Sequence, residues 1–202
     1  MNTPRPHDLL RIASVTQLCR EGPAWLTPAL RDAPWVVVRR ARCARGYVPV
    51  GIRGSDRSHR HATEIHVGKI SEILSPPDLV ERVDRLPDLP ATDAFRLAAE
   101  ILSPTGLAWG PVGSVGFTLA TGVSAVTASS DLDLILTVDD VLPLAMLADL
   151  REVFRGLPAR VDCQLDLPIG GVALDDLLGT ADRVLVRTAD GPSLMTVGRP
   201  MS

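Results

Sequence analysis

The stretch "SSDLDLIL", Ser129 to Leu136, places two carboxylates one residue apart inside a run of leucine and isoleucine. An extended chain sends alternate side chains to the same side. Asp131 and Asp133 therefore share one face of a strand, and Leu132, Leu134 and Leu136 take the other, where helices can cover them. Two carboxylates this close repel each other, and keeping both charged in a partly buried place is costly without a counter-charge. A divalent metal supplies one. Magnesium takes a few carboxylate oxygens and fills the rest of its shell with water and substrate phosphates.

Downstream, "ARVDCQLDL" reads as a second strand and offers Asp162, then Gln164 and Asp166 at same-face positions. Asp162 is preferred as the third carboxylate because it lies deeper in the apolar run. Asp166, just before Pro168, reads as a turn residue, and the choice between the two stays open. Upstream, "WGPVGSVGF" carries Gly113-Ser114, with 16 residues between Ser114 and Asp131. Glycine permits close backbone approach, and a serine hydroxyl beside exposed N–H groups binds phosphate or pyrophosphate. Taken singly, a Gly-Ser pair is usually a turn and an Asp-x-Asp usually a surface strand. Together they form a coherent phosphoryl-transfer site, in which two metals would polarise a phosphorus, activate a hydroxyl and stabilise departing pyrophosphate.

Around this centre the periodicities alternate. "TDAFRLAAEILSPTG" predicts a helix capped at Thr92 or Asp93, with Phe95, Ala98, Ile101 and Leu102 on its apolar face. "DDVLPLAMLADLREVFRGL" predicts a helix from near Pro143 that buries Leu144, Leu147, Leu150 (or Ala148) and Phe154 and ends at Gly156. "GVALDDLLG" reads as a short helix closed by Gly179, and "RVLVRT" as a third strand. Nearer the start, "WVVVRR" and "YVPVGIRG" form a hairpin whose second strand is placed at an edge or a bulge by Pro49. "HDLLRI" and "TEIHVG" supply further pairing partners. Proline and charge thicken in "SPPDLVERVDRLPDLPATD", Ser75 to Asp93, which reads as the linker. The fold class is α/β (α+β) with two domains. Residues 1–90 form a small basic α+β domain for substrate or partner, and 91–202 a catalytic domain around a small mixed sheet.

The 202 residues are 46% hydrophobic and 22% charged, as in an ordinary globular protein. No apolar run approaches the roughly 20 residues that span a bilayer, and the start, "MNTPRPHDLLRI", lacks a signal peptide's apolar core. Three cysteines without a Cys-x-x-Cys pair argue for a reducing compartment, so the cytoplasm is expected and a membrane is not. Residues 1–90 carry 14 Lys+Arg against 10 Asp+Glu, and residues 91–202 carry 7 against 14. The excess gathers between Arg39 and His61, where it suits a polyphosphate or an acidic partner, or else forms a solvated arginine-rich surface. With 3% aromatics and a net charge of −3, nucleic acid is not an expected partner. His7, His59, His61 and His66 build no metal spacing, and His59 and His61 read as exposed. Trp25, Trp35 and Trp109 read as core or interface.

The helix, Gly-Ser turn and Asp-hydrophobic-Asp strand resemble the nucleotidyltransferase superfold of the DNA polymerase beta type. The gap between the two halves is longer here, so "FTLATGVSAVTAS" reads as an inserted segment. The longer strings "WGPVGSVGFTLATG", "SDLDLIL", "VDCQLDLPIGGVAL" and "VLVRTADGPSL" resemble the malonate decarboxylase holo-acyl-carrier-protein synthases, a family of phosphoribosyl-dephospho-CoA transferases. "RPHDLLRI", "PWVVVRR" and "VPVGIRGSDRSHR" fit the same family's N-terminal region, so the resemblance covers nearly the full length.

That resemblance implies an enzyme that takes 2'-(5''-triphosphoribosyl)-3'-dephospho-CoA and transfers its phosphoribosyl-dephospho-CoA moiety to a serine of the acyl-carrier subunit of malonate decarboxylase, releasing pyrophosphate. The family's metal-binding aspartates fall on Asp131 and Asp133, which would hold Mg²⁺ (or Mn²⁺) against the triphosphate. Asp162 joins the metal set and orients or deprotonates the carrier serine. Gly113 and Ser114 cradle the leaving end. Arg53, Arg57 and Arg60 supply positive charge, and Gln164 shares the face of Asp162. Arg187 and Thr188, at the end of the last predicted strand, contact substrate phosphate, although Arg187 equally fits a surface ion pair. Two other readings keep the fold: a nucleotidyltransferase acting on an antibiotic or another protein, and a catalytically idle nucleotidyltransferase-like binding protein.

Overall fold

A computed structural model describes residues 3–16, 18, 22–54, 56, 58–138 and 142–196. Its first sheet comes from short, β-branched stretches in the first third of the chain. Strands β1 (Leu9–Ile12), β2 (Trp35–Val38), β3 (Tyr47–Arg53), β4 (Arg60–His66) and β5 (Ile70–Leu74) pair antiparallel in the order β4-β3-β2-β1-β5. Period-two alternation gives this sheet two buried faces. Leu10, Val36, Val38, Val50 and Ile52 pack with Leu26 and Leu30 of helix α1 (Leu26–Asp32). Leu9, Trp35 and Leu74 point the other way and join the core of the downstream half.

Pro49 corrects the expectation of an edge or bulged strand, because β3 lies between β2 and β4. The β2–β3 ladder extends only to Val38↔Val50, and just beyond it Pro49 accepts a hydrogen bond from the Arg39 N–H at 2.8 Å. The N–H that proline lacks therefore falls where that ladder ends. The stretch read as a linker is a packed element. Residues Pro76–Arg85 form two 3₁₀ segments that meet at a kink at Arg82, the first opened by Asp78, whose carboxylate accepts from the Ser75 N–H at 2.8 Å and hydroxyl at 2.6 Å. Its Leu79 is buried in the larger core.

Helix α2 (Pro90–Leu102) is capped at Leu89, three residues before Thr92 and four before Asp93, with proline in its first turn. Thr92 is not the cap: it is buried, and its hydroxyl donates to the Pro87 carbonyl at 2.6 Å. The second sheet follows, with β6 (Ala108–Pro111), β7 (Leu132–Thr137), β8 (Val161–Leu167), β9 (Gly170–Ala173), β10 (Arg183–Thr188) and β11 (Gly191–Thr196) in the order β11-β10-β9-β8-β7-β6. Between β6 and β7 runs helix α3 (Gly113–Thr121), whose second half, from Phe117, enters the segment expected as an insertion. Helix α4 (Leu144–Arg155) crosses from β7 to β8, the one parallel pair among the described strands. Leu147, Leu150 and Phe154 are buried, but Leu144 is 45% exposed, since it precedes the buried stripe in the first turn. "GVALDDLLG" divides into β9 and the single-turn helix α5 (Leu174–Leu177), because its first residues pair with β8 and β10.

Leu132, Leu134 and Leu136 are fully buried in one cluster with Phe95, Leu119, Phe154 and the first sheet's Leu9 and Trp35. Trp35 and Trp109 are core residues. Trp25 instead stacks on His59 with ring centroids 4.9 Å apart, which leaves both half-buried and corrects the exposed reading of His59. His61 is half-buried too. Among the described residues no helix is long and apolar enough to cross a membrane.

Candidate active site

The alternation that buries Leu132, Leu134 and Leu136 places Asp133 on the opposite face of β7. Because β7 and β8 run parallel in register, Asp133 lies beside Asp162, Ile135 beside Gln164 and Thr137 beside Asp166. Asp131 is exposed and immediately precedes the strand. Asp133 is half-buried, and its carboxyl is held above the ordinary carboxylate value. Burial is the main cause, followed by the negative charges of Asp162 and Asp131, while Arg53 and Arg160 oppose the shift. Five charged groups are thus close enough to act on one another: three carboxylates from the β7 and β8 region, one arginine from the first sheet and one from the start of β8.

Asp133 is also bound to the Gly113-Ser114 turn. Its carbonyl accepts from the Val112 N–H at 2.9 Å, which aligns the end of β6 with the head of α3. Gly113 has φ +59°, and a Cβ built there would fall inside the contact shell of the Asp133 carboxylate, 2.7 Å from Cγ. Glycine at this position lets the head of α3 lie against the carboxylate. The first N–H groups of a helix have no intrahelical partner and carry partial positive charge. Ser114 adds a half-buried hydroxyl that bonds to no other group among the described residues. This carboxylate-and-amide arrangement suits a metal-bridged polyphosphate. Among the described residues no group of three or more His, Cys, Asp or Glu side chains is arranged to hold a metal by itself. The donor set therefore fits magnesium in its substrate-assisted form, held by one or two carboxylates with phosphate oxygens completing the shell.

The remaining expected residues separate into two groups. Arg53 reaches the carboxylates, and Arg60 is its cross-strand partner at the open end of β3 and β4. Arg57 lies outside the described residues. Gln164 lies near His7, which is half-buried at φ +75° and feels the charges of Arg40, Asp166 and Arg187. Asp166 is not a turn residue: it is a β8 residue in a part-buried ion pair with Arg40. Arg187 faces this second cluster, across β9 from Asp166. The Thr188 hydroxyl belongs to the β10–β11 turn, donating to the Gly191 carbonyl at 2.8 Å and accepting from the Asp190 N–H at 3.2 Å. Arg187 and Thr188 stand at the far end of the β7–β8 register from Asp133, with β9 between, so the structure does not bring them to the carboxylates.

Two functional features were not found from the sequence. Arg160 had a usable signal, since Arg160, Asp162, Gln164 and Asp166 alternate and so share one side of an extended chain. His7 and Arg40 had none. They reach β8 only because the two sheets pack together.

Comparison with known proteins gives a separate match for each part of the chain. Residues 5–76 match the family described as Phosphoribosyl-dephospho-CoA transferase MdcG N-terminal domain. Residues 78–198 match the corresponding MdcG C-terminal domain. A Pseudomonas putida protein named phosphoribosyl-dephospho-CoA transferase is 40% identical over 200 residues, covering 99% of this chain and 96% of its own length. Proteins of the same name from Azotobacter vinelandii and Pseudomonas aeruginosa are each 39% identical, covering 98% and 95% of this chain and 94% and 92% of their own. No solved structure matches the chain. A match in both halves, with these identities over nearly the whole length, means that the chain belongs to the phosphoribosyl-dephospho-CoA transferase MdcG family.

Proposed function

We propose that this protein transfers the phosphoribosyl-dephospho-CoA group from 2'-(5''-triphosphoribosyl)-3'-dephospho-CoA to a serine hydroxyl of the acyl-carrier subunit of malonate decarboxylase, with release of pyrophosphate. Family membership supports the transferase activity and the group transferred. The observation that carries the mechanism is Asp133, held between the head of α3 and Asp162 with its carboxyl raised by burial and then by the neighbouring carboxylates. A site that concentrates negative charge in this way suits a divalent cation and the polyphosphate it accompanies.

Asp131 and Asp133 would hold Mg²⁺ or Mn²⁺, which when bound neutralises charge on the triphosphate and on the departing pyrophosphate. The amides at the head of α3, with the Ser114 hydroxyl, hold the leaving end. Asp162 stands one strand over from Asp133, where it can accept the proton of the attacking serine. Arg53, from the first sheet, is close enough to Asp133 to act on its charge and adds positive charge to the site.

The test is the mass of the apo-carrier after incubation with the protein, Mg²⁺ and the triphosphoribosyl precursor. The carrier should gain the phosphoribosyl-dephospho-CoA mass. Asp131→Asn and Asp133→Asn should each slow the gain by at least about 100-fold, as expected when several kcal/mol of transition-state stabilisation is lost. Transfer that proceeds unchanged in EDTA would refute the metal assignment, and modification with ATP but not with the precursor would refute the substrate.

A further inference from the structure

Between α4, α5 and the start of β8 lies a cavity of about 330 Å³, of whose lining the roles above use only Asp162. Its size is within the roughly 300–1,000 Å³ typical of small-molecule sites. Phe154, Leu174 and Cys163 give it an apolar floor. The Cys163 thiol is buried and its pKa pushed up to about 12, so this wall is chemically inert. Arg151, Arg155 and Arg160 line the cavity together with Asp162 and Asp175, three guanidinium groups against two carboxylates.

The arginines are only partly occupied by the protein. Arg151 donates one Nη1 bond to the Leu178 carbonyl at 3.3 Å, and its buried Nε has no hydrogen-bond partner, although it stands 3.7 Å from the Glu152 carboxylate in an ion pair. Arg155 pairs with Glu152 at an exposed position. Arg160 makes no hydrogen bond or ion pair through its side chain among the described residues, yet it is close enough to Asp133 to act on its charge. Unsatisfied guanidinium donors over an apolar floor fit an anion attached to an organic group, and a diphosphate in particular.

Position decides which diphosphate. The head of α3, assigned above to the leaving pyrophosphate, follows β6 and meets Asp133 from that side of β7. The cavity lies on the other flank, at the start of β8, where its floor residues Phe154, Cys163 and Leu174 belong to the core face opposite Asp133 and Asp162 stands on its rim. In the proposed substrate the reacting phosphorus is joined through two sugar rings to the diphosphate of the dephospho-CoA arm, so one molecule presents phosphate on both flanks. Building on the proposed transferase function, we infer that the arginine-lined cavity binds the diphosphate of the dephospho-CoA arm and so sets the direction in which the substrate crosses the carboxylates.

Equilibrium binding of dephospho-CoA to the full-length protein in EDTA tests this without the metal or the reaction. Dephospho-CoA should bind more tightly than inorganic pyrophosphate, because only it also reaches the apolar floor. Arg155→Gln/Arg160→Gln should weaken its binding by at least 10-fold with unchanged thermal unfolding, and Arg160→Lys should recover part of the loss. Asp131→Asn should leave this binding intact. Failure of dephospho-CoA to bind, affinity unchanged in the double variant, or pyrophosphate binding equally well would each overturn the assignment. Arginine-dependent binding with no transfer to the carrier would uphold the cavity and reject the proposed reaction instead.

Discussion

Asp133 is where the chemistry and the stability of this protein oppose each other. Its carboxyl is raised by burial and by Asp162 and Asp131, so the folded chain holds its proton more tightly than the unfolded chain does. By linkage the ionised form opposes folding, with a penalty that grows as pH rises through the folded value and vanishes below the ordinary carboxylate range. Asp133→Asn should therefore unfold at a higher temperature than the native chain at pH 7 without divalent cations. That gain should disappear near pH 3, below the ordinary aspartate value of about 3.9. Added Mg²⁺ should stabilise the native chain more than the variant. Thermal unfolding at the two pH values, with and without Mg²⁺, checks all three expectations. The pairing of Asp131 with Asp133 was legible from their spacing. The neighbours that raise Asp133 were only partly so, because Arg53 and Arg160 approach from other elements.

At the scale of elements, α3 shows why no helix was read between β6 and β7, where "FTLATGVSAVTAS" was expected as an insertion. Its apolar residues surround the helix without a strong periodic stripe: Val115, Leu119 and Ala120 are buried, and so is Thr118, whose hydroxyl donates to the Ser114 carbonyl at 3.0 Å. Nothing in a two-period or 3.6-period count marks a helix covered on several sides. Its ends, by contrast, are glycines with different tasks. Gly113→Ala would put a methyl against the Asp133 carboxylate at a φ of +59°. The backbone term alone costs about 1–2 kcal/mol, so a loss of about 2 kcal/mol or more is expected, with transfer abolished. Gly122 closes the helix at φ +76° and a Cβ there would meet nothing within 4 Å. Gly122→Ala should cost only about 1 kcal/mol and keep transfer. Urea unfolding and carrier modification of the two variants separate the roles.

For the whole molecule the deciding feature is that the two sheets share a core while a polar cluster closes over β8. Leu9, Trp35 and Leu74 pack with the second half, and Arg40 spans from the first half to Asp166. The side chains of this pair are only 18% and 17% exposed, so removing one partner strands a largely desolvated charge. Arg40→Met should destabilise by about 3 kcal/mol, somewhat less than for full burial, and Arg40→Met/Asp166→Leu should recover most of it. A double-mutant cycle in urea measures the coupling, and additive losses would show that the pair does not join the halves.

What the chain determines locally was readable from its residues. The Asp-hydrophobic-Asp strand, the next strand with Asp162, the first-half hairpin and the helix over Leu147, Leu150 and Phe154 all follow from periods set by backbone geometry. What tertiary structure decided lies between elements that are distant in sequence. It seated Pro49 in a central strand, made Asp166 a partner of Arg40 and brought His7 to Gln164. It also opened the arginine-lined cavity beside Asp162. Alternation and helical pitch are properties of one segment, whereas these contacts depend on how two sheets twist and close on each other, which no single stretch encodes.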